Sequence, residues 1–75
     1  MQRTFFNNSF GKNIHYRVSV IYKDDRSESF DREYVEQAKL IYDDKNNPST
    51  TRHVKLMEIH SDGTMVVLRE NMVLI

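Results

Sequence analysis

From residue 31 to residue 44 the chain reads DREYVEQAKLIYDD, and its apolar residues Tyr34, Val35, Ala38, Ile41 and Tyr42 recur at helical spacing. On a helix with about 3.6 residues per turn they gather into one stripe. Asp31 stands where an N-cap is wanted, its carboxylate placed to accept from the unpaired backbone N–H groups of the first turn. Phe30 before it and Val35 four residues after it have the spacing of a hydrophobic staple. The run Lys45-Asn46-Asn47-Pro48 closes the helix, because proline disfavours helical geometry in the residue ahead of it. An amphipathic helix must lay its stripe on something, and the flanking sequence offers strands.

Ahead of the helix, Ile14, Tyr16, Val18, Val20 and Tyr22 alternate with His15, Arg17, Ser19 and Ile21, a period of two that reads as a strand with one apolar face. Residues 23–26 make a polar turn, and residues 27–30 return as a short second strand. Behind the helix, residues 52–60 and 64–70 flank Ser61-Asp62-Gly63, where Asp-Gly signals a hairpin. Centring the turn on Asp62-Gly63 pairs Ile59 with Val66, Met57 with Leu68 and Lys55 with Glu70 on one face. The other face carries His60, Met65, Glu58, Val67, Leu56 and Arg69, a mixed set suited to partial cover. Residues 71–75, NMVLI, continue the last strand or pack under the helix. The opening residues Thr4, Phe5, Phe6 and Phe10 form an edge strand or an apolar flap. The expected fold is α+β: a small two-layer sandwich of about four mainly antiparallel strands, order ββαββ, with one helix on one sheet face.

Seventy-five residues without a repeat or linker are read as one domain, residues 1–75. A chain of this size buries a thin core, and with no cysteine it has neither disulfides nor thiolate metal sites to supplement it. Eleven Lys+Arg balance eleven Asp+Glu, which argues against a dedicated nucleic-acid binder. The charges are nonetheless segregated. Residues 1–23 carry +4 with no acid, residues 24–47 carry −4, and the remainder is balanced. The first residues lack the continuous apolar stretch of a signal peptide and no window is long enough to span a bilayer, so a cytoplasmic location without membrane contact is expected, in the host cytoplasm if the chain is viral.

Catalytic and metal chemistry find little support. His15, His53 and His60 sit on separate expected elements without metal-ligand spacing, so no metal or other cofactor is assigned. There is no Gly-x-Ser-x-Gly, no Gly-rich phosphate loop and no cysteine nucleophile, and the chain is read as no enzyme. Two surfaces remain. Opposite the apolar stripe lie Glu33, Glu36, Asp43 and Asp44 around Leu40, an acidic docking face with a leucine anchor; i,i+4 pairs Arg32–Glu36 and Lys39–Asp43 border it. In the acid-free N-terminal stretch, Lys12, Arg17 and Lys23 lie near aromatic residues, the composition of a surface that binds nucleic acid by stacking and phosphate contacts.

The layout is similar to the plan of some small phage-encoded proteins that bind and inhibit a host enzyme or defence complex, a likeness of size and layout that rests on no residue signature. The leading expectation is a non-catalytic binding protein that docks on a larger protein or ribonucleoprotein as inhibitor or regulator, through Glu33, Glu36, Leu40, Asp43 and Asp44. The alternative is a nucleic-acid-binding module using Lys12, Arg17 and Lys23. A homodimer formed through the free sheet face, the hairpin or the tail is a further expectation.

Overall fold

The computed structural model describes residues 14–73. In chain order the elements are β1 (Ile14–Tyr22), β2 (Ser27–Arg32), α1 (Val35–Lys45), β3 (Thr51–His60) and β4 (Met65–Met72). The four strands form one antiparallel sheet in the order β2-β1-β3-β4, so the fold is a small α+β arrangement with element order ββαββ. β2 and β3 both pair with β1, and α1 carries the chain from one to the other across it.

The alternation in β1 is realised. Val18 and Val20 are buried, with Tyr16 and Tyr22 packed alongside on the same face. Directly opposed residues of neighbouring strands share a face, and here Val18 meets Leu56 and Phe30 while Val20 meets Val54. Ala38 and Tyr42 of α1 seat on this surface, with Ile41 packed beside them. Ala38 is fully buried. Its single methyl lets the helix approach the strands closely, and the phenol of Tyr42 fills the adjoining space.

The helix is shorter at its start than its sequence suggests. α1 begins at Val35 with Tyr34 as N-cap and no side-chain capping bond, and it ends at Lys45 with the Asn46 N–H donating to the Tyr42 carbonyl at 2.8 Å. Asp31 is not a cap: it lies in β2, where its carboxylate accepts two hydrogen bonds from the Arg17 guanidinium at 2.8 and 3.1 Å. Phe30 belongs to the same strand and faces the core, so the staple with Val35 does not form. The β1–β2 ladder runs as far as Arg32 and keeps Asp31 in the strand, where its carboxylate gains a bidentate, charge-assisted contact with the opposing Arg17. Tyr34, placed on the apolar stripe by its spacing, is 52% exposed.

Both hairpins use one turn design. In each, a three-residue loop is closed by Tyr22 N–H to the Arg26 carbonyl (2.8 Å) or His60 N–H to the Thr64 carbonyl (2.9 Å). The third loop residue, Asp25 or Gly63, is left-handed at φ 71° or 89°. The second, Asp24 or Asp62, accepts from the backbone N–H two residues on. The Ser61-Asp62-Gly63 loop therefore corrects the register expected from a two-residue turn. Ile59 faces Met65 and Met57 faces Val67; Leu68 is then accommodated as an extra residue, after which Lys55 faces Glu70 as anticipated. The hairpin's faces are also assigned anew. The helix packs on the mixed face through Val54 and Leu56, while Met57 and Ile59 lie on the helix-free side with Met65 and Val67. The tail continues the ladder, Val73 N–H donating to the Arg52 carbonyl at 2.9 Å; residues 74–75 and the opening segment with Phe5, Phe6 and Phe10 lie outside the described residues.

Candidate interaction surfaces

Successive residues of α1 advance by about 100° around its axis. Glu36, Leu40, Asp43 and Asp44 thereby fall within roughly one third of the circumference, opposite Ala38 and Tyr42. All four are exposed, and Leu40 stands 72% open to solvent, the most exposed large apolar side chain described. Glu33 is exposed too, but it lies in the bend ahead of the helix and so stands beside this face rather than on it.

The ion pairs around the face differ from those expected by spacing. Arg32 is a β2 residue whose guanidinium donates to the Asp31 carbonyl at 2.7 Å, so it is not one turn from Glu36. Asp43 approaches Arg69 of β4 at 4.0 Å, and Asp44 lies 3.9 Å from Lys45. Both contacts are long and solvated, and such pairs contribute little to stability. The carboxylates are thus held loosely and can exchange these neighbours for a partner's cations.

Among the described residues, Arg17 and Lys23 do not lie together. Arg17, on the helix-free side, is engaged by Asp31; this contact raises the Arg17 pKa and holds the Asp31 carboxyl below the usual carboxylate range. Lys23 lies in the β1–β2 turn, six residues further along and about 20 Å away on an extended strand. Lys12 lies outside the described residues. Tyr16, next to Arg17 in the chain, faces the core side, so these two residues point to opposite faces of the sheet.

An open cleft of about 480 Å³ is lined by Tyr22, Lys23, Asp24, Arg26, Glu28 and Thr50. Several of its polar groups engage one another. Arg26 pairs with Asp24 at 2.7 Å and lies 5.3 Å from the Tyr22 ring centre, while the Tyr22 hydroxyl donates to Glu28. That hydrogen bond raises the phenol's pKa. Each histidine sits beside a different carboxylate: His15 near Asp31 (3.8 Å), His53 near Glu70 (2.6 Å) and His60 near Glu58 (2.8 Å). Among the described residues no three histidine or carboxylate groups converge as a metal set. No helix among them is long and apolar enough to cross a membrane.

Within the hairpin, named above among the surfaces for a homodimer, one edge was not singled out from sequence. β4 is an edge strand, and Met65, Val66, Val67, Leu68 and Met72 are exposed along it. The signal was available in the unbroken run Met65-Val66-Val67-Leu68, which lacks the alternation of a strand with one solvated face. Comparison with protein-family models, with curated proteins and with solved structures gives no match.

Proposed function

We propose that this chain is a non-catalytic binding protein that acts by docking the outward face of α1 on a larger protein or ribonucleoprotein, as an inhibitor or regulator. The observation that carries this reading is Leu40, 72% exposed on the same helical face as Glu36, Asp43 and Asp44. A lone exposed leucine is ordinary. Ringed by three carboxylates, of which Asp43 and Asp44 have only long, solvated cation contacts among the described residues, it suits a partner presenting an apolar socket inside a basic rim. The carboxylates would speed encounter and select the partner, and the leucine would supply the desolvated contact.

The test begins with affinity capture of the tagged chain from its native host and identification of the retained partner by mass. Binding is then measured for Glu36→Lys combined with Asp43→Lys, and separately for Leu40→Ala. Reversing two rim charges is expected to lower affinity about tenfold or more, chiefly through slower association, and to invert its salt dependence. Circular dichroism should remain that of the parent, because these side chains lie outside the core. Unchanged affinity in both variants would remove α1 as the docking surface.

A further inference from the structure

The two edges of the sheet are built differently. β2 is six residues long and reads SESFDR; its one large apolar side chain, Phe30, turns into the core, leaving an edge of serines and charges. Short charged edges of this kind discourage a further strand. β4 is eight residues long, contains neither proline nor lysine, and carries apolar side chains on both faces, Val66 on the helix side and Met65 and Val67 on the other. All its residues are exposed, and among the described residues no strand pairs with its outer edge. From this contrast we infer that β4 is a self-association edge, along which a second copy of this chain lays its own β4 antiparallel to make one eight-stranded sheet.

The strand fits its own copy for a geometric reason. An antiparallel strand meets itself about a two-fold axis normal to the sheet, and directly opposed residues then share a face. With the axis at Val66, that residue opposes itself and Met65 opposes Val67. Each of these contacts is apolar and lies on the face those residues already occupy. Arg69 and Glu70 lie outside this match of residues 65–67. Leu68, the extra residue against β3, marks where regular pairing ends. The chain's zero net charge places no long-range repulsion between copies. A thin core also gains most from apolar surface covered by a second copy.

Sedimentation velocity of the full chain across the micromolar range tests the idea, together with amide hydrogen exchange of the unaltered protein. The expected result is a shift from one chain mass to two with rising concentration. Amides of Met65, Val66 or Val67 that point outward should exchange at least about tenfold more slowly in the dimer. Val67→Lys should restore a single chain mass, while Leu40→Lys, on the helix face used for docking, should leave the dimer intact. One mass throughout would overturn the inference. So would a dimer whose β4 amides stay fast, which would indicate pairing through a sheet face instead. Slow β4 amides in a monomer would assign the edge to another segment of the same chain and overturn it equally.

Discussion

Arg17 and Asp31 stand opposite each other on β1 and β2, on the side of the sheet away from α1. The guanidinium donates two hydrogen bonds to the carboxylate, and this contact, before any other influence, lowers the Asp31 pKa in the folded chain. The folded value lies below the unfolded one, so protonation favours unfolding. The pair's contribution is complete above about pH 4, the unfolded value, and fades as pH falls through the lower folded value. Both side chains are more than one third exposed. Solvent screening therefore limits the contribution to about 0.5 kcal/mol. Urea unfolding of Asp31→Asn should show this small loss at pH 7 and a shallower decline in stability under acid than the parent. A variant whose acid limb superimposes on the parent's would show that Asp31 is not what titrates there.

The two turns show how a single residue decides an element. Gly63 is left-handed at φ 89°, and a Cβ placed on it would meet nothing within 4 Å. Any cost of Gly63→Ala is therefore conformational and not steric crowding by neighbours, about 1–2 kcal/mol for an L-residue held left-handed. Gly63→Asn should cost less, since short polar side chains tolerate that conformation, as Asp25 does at the equivalent place in the other hairpin. Equal stability of the Ala variant and the parent in thermal melts would show that the loop relaxes into another turn. The same loops explain what was legible from sequence. The β1 strand was readable because its period of two is local and matches its buried face. The β3–β4 register was not, because Asp62-Gly63 fits a two-residue or a three-residue loop, and Leu68 absorbs the difference along the strand. The helix body was readable from Ala38, Ile41 and Tyr42. Its start was not, since Asp31 is an equally good cap or cross-strand acceptor until Arg17 is known to face it. The outward carboxylates of α1 followed from helical spacing, and the apolar run of β4 was visible too, whereas its place at the sheet edge needed the strand order, which local pattern does not encode.

At the scale of the molecule, zero net charge conceals how the cations are used. Arg17, Arg26, Lys45, Arg52 and Arg69 each have a carboxylate of this chain within 4.0 Å. A phosphate approaching any of them competes with a neighbouring carboxylate, only weakly at Lys45 and Arg69, whose contacts are 3.9 and 4.0 Å, and does so inside the field of the remaining acids. Nucleic-acid affinity grows with the number of phosphates neutralised, and log K falls with log salt at a slope of about −0.9 per contact on duplex DNA. With these five cations engaged and Lys23 about 20 Å from Arg17, few contacts form together among these residues. Mixtures of the full chain with single- or double-stranded oligonucleotides should therefore show no retarded band in low-salt gels, and any residual affinity should be weaker than about 10⁻⁴ M. A salt-sensitive complex that weakens in Arg17→Ala and Lys23→Ala would reverse that conclusion. It would mean that phosphates win these cations from their carboxylates, and it would turn attention from the acidic helix to the N-terminal stretch.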